Sequence, residues 1–212
     1  MIDRFIAELV SANRMQNLIS RQATLDEIRE HIEDSQALLI FVSLKAKKVL
    51  DMGSGQGFPA IPLAMAEPES IITMVESDLK KCLFLEGVVN SLGLANARVI
   101  RARVEELAHT PEHRGVYEIV TCRAVSSLPT LIEWGLPFLC RGGILAAWKG
   151  AKALEELDAS RRALEILGGE LLGVKKYQVR ERGGNLVLIS KKGDTPEQYP
   201  RKGGIAKKRP LK

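Results

Sequence analysis

The hydrophobic positions of this chain follow two patterns that change near residue 45. In residues 1–44 the apolar side chains recur at helical spacing, which predicts an amphipathic helix near the N-terminus. The positions that carry this pattern are Phe5, Leu9, Ala12 and Met15. Thr24, followed three residues later by Glu27, fits a capping box, so we expect a second helix that starts there and reaches about Phe41.

From Lys47 onward, short apolar runs alternate with amphipathic segments. The runs predict strands and a terminal hairpin around Gly183-Gly184, and the segments between them predict helices. The predicted strands are 48–51, 70–76, 97–100, 117–121 and 143–148, and the hairpin arms are 173–182 and 185–191. The predicted helices are 61–66, 79–92, 128–139 and 153–167. This alternation is typical of a Rossmann-like α/β fold with a doubly wound, mostly parallel sheet, here followed by an antiparallel C-terminal hairpin.

The pattern divides the chain into three predicted parts: an N-terminal helical extension at 1–44, an α/β domain at 45–192 and a basic tail at 193–212. The tail carries six of the 31 Lys and Arg residues and, from Arg201 on, no acidic one, whereas the rest of the chain is near neutral. We expect this tail to be mobile unless it is bound. Its charge favours a polyanion as partner, and a solvated tail without a partner is the alternative.

Composition narrows the class of protein by exclusion. The chain has no run of about 18 apolar residues, and its N-terminus carries charge early, so we expect neither a membrane span nor a signal peptide. Its three cysteines, Cys82, Cys122 and Cys140, fit neither a disulfide framework nor a zinc pattern. We therefore predict no metal site and a location in the reducing cytoplasm.

The candidate chemistry centres on the segment where the first predicted strand ends. Asp51 is followed there by Gly53, Gly55 and Gly57, and then by Phe58. Glycine tolerates φ > 0 and lets a backbone approach a ligand closely, and a helix start beside such a turn is typical of a small-molecule site. A dinucleotide site would have its third glycine where Phe58 stands. The acidic–x–G–x–G–x–G pattern instead resembles the class I methyltransferases that use S-adenosylmethionine.

Two further segments complete the predicted cofactor site. Glu76 ends the second predicted strand, where its carboxylate can accept hydrogen bonds from both ribose hydroxyls and would repel a 2′-phosphate. Residues 103–106 follow the third strand, where a backbone N–H and a polar side chain could read an adenine edge. Together with the glycine loop these features favour S-adenosylmethionine over a nicotinamide cofactor. An α/β domain with an empty pocket is the alternative.

Motifs that the chain lacks argue against two classes of methyl acceptor. Exocyclic amine methylation usually shows a Pro-Pro motif after the fourth strand, where this chain reads 121–125 as Thr-Cys-Arg-Ala-Val. Cytosine C5 methylation needs a Pro-Cys pair besides Thr121-Cys122, and the chain lacks it, so Cys122 is predicted to be a core residue. A ring nitrogen with a free lone pair, such as guanine N7, requires no general base. This agrees with the lack of a convincing base near the glycine loop.

Arg123 is the predicted positioning residue, because it follows the fourth strand beside the cofactor loop. We expect it to clamp a phosphate or the carboxylate of the cofactor, for which the fork of a guanidinium is well suited. The alternative is a solvent-facing side chain just past the strand.

Several motifs along the chain are characteristic of one family. The glycine loop continues into Pro59-Ala60-Ile61-Pro62-Leu63, which is more specific than the glycines. Further motifs are Asn17-Leu18-Ile19-Ser20, His31-Ile32-Glu33-Asp34-Ser35, Lys80-Lys81-Cys82-Leu83-Phe84-Leu85, Arg123-Ala124-Val125-Ser126-Ser127-Leu128, Trp148-Lys149-Gly150 and Tyr199-Pro200-Arg201-Lys202. Over nearly its whole length the chain resembles the small-subunit ribosomal RNA methyltransferase G family, also called glucose-inhibited division protein B.

The resemblance implies an enzyme that transfers a methyl group from S-adenosylmethionine to N7 of guanine-527 in 16S ribosomal RNA. The cofactor contacts that it implies lie at Gly53, Phe58, Glu76, Val104, Glu105 and Arg123. It also places His31 and Asp34 at the rim of the active site. The predicted RNA-binding residues are Lys149, Arg201, Lys202, Lys207, Lys208 and Arg209.

The predicted partner is 16S ribosomal RNA or the small ribosomal subunit, bound by a monomer. Two alternatives stay open at this point. One is a class I methyltransferase that acts on another RNA or on a small molecule. The other is a cofactor-sensing or RNA-binding domain without turnover.

Overall fold

One seven-stranded sheet runs through the computed structural model, which describes residues 1–16, 18, 20 and 22–211. The strands are β1 (Lys48–Met52), β2 (Ile71–Glu76), β3 (Ala97–Arg101), β4 (Tyr117–Arg123), β5 (Leu139–Lys149), β6 (Gly169–Val179) and β7 (Arg182–Lys191). Their order in the sheet is β3-β2-β1-β4-β5-β7-β6. The first five strands are parallel, and β7 pairs antiparallel with both β5 and β6. The predicted α/β architecture with a terminal hairpin is confirmed.

Helices cover both faces of this sheet. They are α1 (Ile2–Gln16), α2 (Leu25–Gln36), α3 (Ala60–Ala66), α4 (Leu79–Leu92), α5 (Val104–Leu107), α6 (Leu128–Gly135), α7 (Ala153–Asp158), α8 (Arg161–Leu167) and α9 (Ile205–Lys208). Side chains of a strand alternate between the faces. In β1, Val49 therefore joins the core under α1 to α4, while Leu50 joins the core under α6, α8 and α9.

The order of the strands places a crevice at the carboxyl end of β1. The chain moves outward from β1 to β2 and β3, and then returns to the other side of β1 with β4. Ligands of open α/β sheets bind at such a switch point. The loop after β1 and Arg123 at the end of β4 both lie there.

Local signals in the sequence are confirmed at the helix ends. Thr24 accepts a hydrogen bond from the Glu27 N–H at 3.1 Å, and its own N–H donates to the Glu27 carboxylate at 2.8 Å. The helix that they cap ends at Gln36 and continues as a 3-10 turn over Ala37–Ile40, close to the predicted end at Phe41. The predicted motif at 17–20 falls partly outside the described residues, which omit Asn17 and Ile19.

Two predicted elements differ from the structure. The helix expected at 153–167 is divided into α7 and α8, because buried Ser160 donates its hydroxyl to the Glu156 carbonyl at the junction. The hairpin turns at 180–181 rather than at Gly183-Gly184. Gly184 lies inside β7, where a Cβ atom would overlap the ring of Tyr177 on β6. Gly184 therefore makes room for an aromatic ring, and the glycine pair does not form the turn.

The C-terminal tail differs from the prediction of a mobile segment. Tyr199 and Ala206 are buried in the core under α6, α8 and α9. Arg201 binds Glu133 on α6 with an Nη2–Oε2 distance of 2.6 Å. Glu133 is fully buried, so its charge requires this partner. The tail is thus part of the folded domain over its described residues, which end at Leu211 and leave Lys212 out.

Candidate active site

The loop that follows β1 has a backbone that only glycine adopts readily. Gly53, Gly55 and Gly57 have φ angles of +69°, +55° and +97°. A Cβ atom on Gly57 would lie 2.8 Å from Cγ1 of Ile61, and one on Gly53 would lie 3.1 Å from Cγ2 of Val125. The backbone conformation explains all three glycines, and the lack of space is a second reason at Gly53 and Gly57.

Asp51, at the end of β1, lies beneath this loop. Its Oδ1 atom accepts a hydrogen bond from the Thr121 hydroxyl at 2.7 Å, which ties β1 to β4. Its Oδ2 atom is buried and has no hydrogen-bond partner among the described residues. Because the side chain is buried, the pKa of Asp51 is raised to about 6.

Glu76 holds the loop from the neighbouring strand. Its Oε2 atom accepts the Gly55 N–H at 3.0 Å, and its Oε1 atom accepts the N–H groups of Ser77 at 2.7 Å and Asp78 at 2.9 Å. The carboxylate is thereby fixed at the end of β2, where the sequence places the ribose-binding acid.

Two cavities meet at the glycine loop and share Gly53, Glu76, Ser77 and Val125. One is a mostly apolar slot of about 110 Å³ beside Val104 and Glu105, the residues that the resemblance assigns to the cofactor. The other has a volume of about 650 Å³ and opens to the solvent. The slot suits a planar ring, and the larger cavity leaves room for a second reactant.

Glu105 also connects the slot to the C-terminal tail. Its carboxylate is buried, and Oε1 accepts the N–H of Gly204 at 3.1 Å. The same oxygen lies 3.5 Å from Nη2 of Arg103. The tail therefore holds the side chain of Glu105, a residue of the slot wall, through a contact between residues that are distant in sequence.

Arg123 lines the larger cavity, and its positive charge is paired with Asp34. Its Nη1 atom lies 2.9 Å from Oδ2 of Asp34 and 3.3 Å from the Ser35 hydroxyl, and Nη2 donates to Nδ1 of His31 at 2.6 Å. Its guanidinium carbon lies 5.7 Å from the centre of the Phe58 ring. The structure thus brings together the residues predicted at the rim, while the clamp role of Arg123 stays a prediction.

The N-terminal helices close the side of the glycine loop. Phe58 is buried, with its ring centre 5.5 Å from that of Phe5 on α1 and 5.7 Å from that of His31 on α2. The helical extension therefore forms part of the site and does not stand apart from it.

No site role was predicted from the sequence for two residues of this network, although Trp148 belongs to a family motif. The Tyr177 hydroxyl on β6 donates to Oδ1 of Asp34 at 2.5 Å, and Nε1 of Trp148 on β5 donates to the Asp34 carbonyl at 3.0 Å. Burial, followed by the hydrogen bond to Asp34, raises the pKa of the Tyr177 hydroxyl. The one signal for Tyr177 in the sequence was Gly184, its partner on β7, which leaves space for its ring.

The predicted RNA-binding residues fall into two groups. Lys149 pairs with Glu156 at 2.7 Å and donates to the Ser126 carbonyl, and Arg201 is bound to Glu133. Their charges are therefore used within the fold. The exposed members, which have no ion pair in the described part of the chain, are Lys202, Lys207, Lys208 and Arg209.

A membrane span and a metal site can be examined only for the residues that the structure describes. None of their helices is long and apolar enough to cross a membrane. They also contain no group of three His, Cys, Asp or Glu side chains that could hold a metal ion. Cys122 is fully buried, as predicted for a core residue, and burial raises the pKa of its thiol.

Solved structures with the same fold define the class of protein. An S-adenosylmethionine-dependent O-methyltransferase from Thermotoga maritima matches with a TM-score of 0.56 at 15% identity, covering 89% of this chain and 72% of its own. The antibiotic-resistance methyltransferase Kmr gives 0.57 at 18% identity, covering 74% and 93%. TYW2 from M. jannaschii, solved with AdoMet, gives 0.56 at 16% identity, covering 81% and 77%. The fold is that of the class I S-adenosylmethionine-dependent methyltransferases.

Sequence comparisons identify the family. The family profile described as rRNA small subunit methyltransferase G matches residues 1–183. Proteins named ribosomal RNA small subunit methyltransferase G are 42% identical in Syntrophomonas wolfei, covering 99% of this chain and 98% of the relative, and 38% identical in Desulfitobacterium hafniense, covering 96% and 85%. This chain belongs to the rRNA small subunit methyltransferase G family, and S-adenosylmethionine is its methyl donor. The family resemblance noted in the sequence is confirmed.

The site has the features that this donor requires. The apolar slot beside Val104 suits the adenine ring, and Glu76 lies where the ribose hydroxyls would be held. Gly53 lines both cavities and has no Cβ atom, so a ligand can approach the backbone of the loop closely there. These assignments of single residues to parts of the cofactor stay predictions.

Proposed function

We propose that this protein transfers the methyl group of S-adenosylmethionine to N7 of guanine-527 in 16S ribosomal RNA. We further propose that it does so in the cytoplasm, as a monomer, on the RNA or on the small ribosomal subunit. Membership of the family supports ribosomal RNA as the class of substrate. The choice of N7 is supported by the chemistry of the cavity.

The observation that carries this proposal is the lack of a proton acceptor among the described residues that line the larger cavity. Glu76 is their one acid, and its two oxygens accept backbone N–H groups. His31 lines the cavity too, but its Nδ1 atom is taken by Arg123. An amine or hydroxyl acceptor would have to lose a proton, whereas guanine N7 carries a free lone pair and needs no base.

The contact between Arg123 and His31 also determines which nitrogen of the imidazole carries the proton. A guanidinium only donates hydrogen bonds, so Nδ1 of His31 must accept, and the neutral ring carries its proton on Nε2. Burial and the nearby Arg123 lower the pKa of His31, which keeps the ring neutral near pH 7. We propose that Nε2–H donates to O6 of guanine, the acceptor next to N7. Adenine presents an amine at that place and would be rejected.

The part of the wall formed by Arg123, Asp34 and His31 carries no net charge, which suits a base that becomes cationic. S-adenosylmethionine supplies an electrophilic methyl on a sulfonium, and guanine gains a positive charge when N7 is methylated. Asp34 offsets the charge of Arg123 at 2.9 Å, and His31 adds no charge of its own. The residues of the chain thereby orient the base without repelling the product.

The test is a map of the methylated nucleotides in 16S ribosomal RNA by mass spectrometry. In cells that lack the gene, the N7-methyl group on guanine-527 should be missing, and a plasmid copy of the gene should restore it. A methyl group that persists at guanine-527 without the gene would overturn the proposal. Loss of a methyl group elsewhere would instead support a class I methyltransferase for another substrate.

A further inference from the structure

We propose that Lys81 on α4 and Lys207 in the C-terminal tail form a phosphate clamp at the mouth of the larger cavity. The clamp would hold the backbone of single-stranded ribosomal RNA around the target nucleotide. This inference rests on the proposed function, since it names RNA contacts of the same site.

Positively charged side chains line part of the larger cavity. Among the described residues these belong to Arg123, Lys81 and Lys207. Arg123 is neutralised by Asp34. The ammonium groups of Lys81 and Lys207 have no acidic or carbonyl partner in the described part of the chain. The unpaired positive charge of the cavity therefore lies on these two lysines.

Lys207 is held in place by the anchored tail. Its neighbour Ala206 is fully buried, and the Ala206 carbonyl accepts a hydrogen bond from the Thr130 hydroxyl at 3.1 Å. The tail is also fixed by the buried pair of Arg201 with Glu133. Because the backbone around Lys207 is already ordered, an RNA partner would not have to order it on binding.

Lys81 lies on the face of the sheet opposite to the one that carries Lys207. It lies in the first turn of α4, where its N–H donates to Oδ1 of the capping residue Asp78 at 3.0 Å. The core beneath α4 includes Leu85, whereas Ala206 belongs to the core on the other face. The two lysines therefore reach the mouth from the two helical layers, which is the arrangement of a clamp.

The chemistry of lysine fits phosphate better than a base edge. An ammonium group is a compact point charge without the planar fork of arginine, so it binds phosphates without demanding one orientation. Contacts to phosphates position a nucleic acid but carry no sequence information. The clamp would thus hold the strand, and the groups deeper in the cavity would select the base.

The test is the salt dependence of RNA binding. The affinity for a 16S ribosomal RNA fragment that carries guanine-527 is measured from about 50 to 300 mM KCl for wild type, Lys81→Gln, Lys207→Gln and the double variant. Loss of one single-strand phosphate contact should reduce the slope of log K against log salt by about 0.7. We therefore expect a reduction of about 0.7 in each single variant and about 1.4 in the double variant.

Three controls test whether a change in slope is due to the charges of Lys81 and Lys207. Lys80 is exposed and adjacent to Lys81 but does not line the cavity, so Lys80→Gln should leave the slope unchanged. Lys207→Arg keeps the charge and should restore the slope of the wild type. The affinity for S-adenosylmethionine, measured by calorimetry, should be unaltered in Lys81→Gln and Lys207→Gln.

Two results would overturn the clamp. The first is an unchanged slope in the double variant. The second is a weaker affinity for S-adenosylmethionine with an unchanged slope, which would assign the lysines to the carboxylate of the cofactor. Failure of the proposed function would be visible separately, because the wild-type protein itself would then leave guanine-527 unmethylated.

Discussion

The carboxylate of Asp34 lies 2.9 Å from the guanidinium of Arg123 and so ties the N-terminal helix α2 to the end of β4. The same carboxylate accepts the hydroxyl of Tyr177, and its backbone carbonyl accepts the indole N–H of Trp148. Asp34 thus joins three strands of the sheet to the helical extension. The Asp34 carboxylate thus helps to hold α2 against the sheet and offsets the charge of Arg123 in the cavity wall.

The first prediction concerns the charge of Asp34. Asp34→Asn keeps the shape but leaves the largely buried Arg123 without its counter-ion. We expect a loss of about 1–3 kcal/mol in the free energy of unfolding. We also expect turnover to fall about tenfold, since the uncompensated charge would oppose a cationic product by about 1.4 kcal/mol. Urea unfolding and methyl transfer at saturating cofactor measure the two effects.

A neighbouring ion pair provides the control for that variant. Glu33 pairs with Arg180 at 2.7 Å on the exposed surface of α2. Glu33→Gln should cost less than about 1 kcal/mol and leave turnover unchanged. If both variants behaved alike, the pair of Asp34 with Arg123 would have no special part in the site.

The second prediction tests the contact of His31 with guanine. His31→Leu removes the Nε2–H donor, and 2-aminopurine in place of the target guanine removes its O6 acceptor. Each change should lower kcat/KM for an RNA fragment by about tenfold, the kinetic equivalent of one hydrogen bond of about 1.4 kcal/mol. If the two groups are partners, the combined loss should be no larger than the single loss. Fully multiplicative losses would show that they do not meet.

The third prediction concerns the pH dependence of stability at Asp51. The pKa of its carboxyl is about 6 in the folded chain, above the usual value of 3.8, because burial disfavours the charged form. The folded state therefore binds more protons than the unfolded state between about pH 4 and pH 6, so this contribution to stability is lost as the pH rises through that window.

Asp51→Asn removes this titration and provides the measurement. Urea unfolding of both proteins from pH 4 to pH 8 should show the variant gaining stability relative to wild type up to about pH 6, by about 3 kcal/mol at most, and then levelling off. A difference that did not change with pH would mean that the carboxyl is not buried as described.

The fourth prediction concerns the anchor of the tail. Arg201→Ala leaves the fully buried Glu133 without its partner, and we expect a loss of about 3–5 kcal/mol in the free energy of unfolding. Lys202→Ala, at an exposed neighbour, should change stability by less than about 0.5 kcal/mol. Equal melting temperatures for the two variants would argue that the tail is not docked in solution.

Features that depend on neighbours in sequence were predictable. The glycine loop and the capping residue Thr24 carry their signal within a few residues, because turn geometry and helix capping are local. Glu76 was placed by the apolar run that it ends. The end of β1 and the start of the cofactor site could therefore be placed before the fold was known. The division of the chain at 45 and 193 is a prediction that stays open.

Features that depend on distant contacts were not predictable. The tail looks disordered by composition, and the acid that anchors it, Glu133, stands in an otherwise apolar helix, where sequence alone cannot distinguish a buried carboxylate from an exposed one. The contact of Tyr177 with Asp34 joins residues that lie 143 positions apart. Such pairs are defined by the packing of whole elements, which no local pattern encodes.

The most direct measurement of the central claim is methyl transfer with purified components. 16S ribosomal RNA and small subunits from cells lacking the gene are incubated with the protein and S-adenosylmethionine bearing a deuterated methyl group, and the digested RNA is mapped by mass spectrometry. We expect label on one nucleotide, guanine-527, as N7-methylguanine. Label at another nucleotide, label at another atom of guanine-527, or no label on either substrate would contradict it.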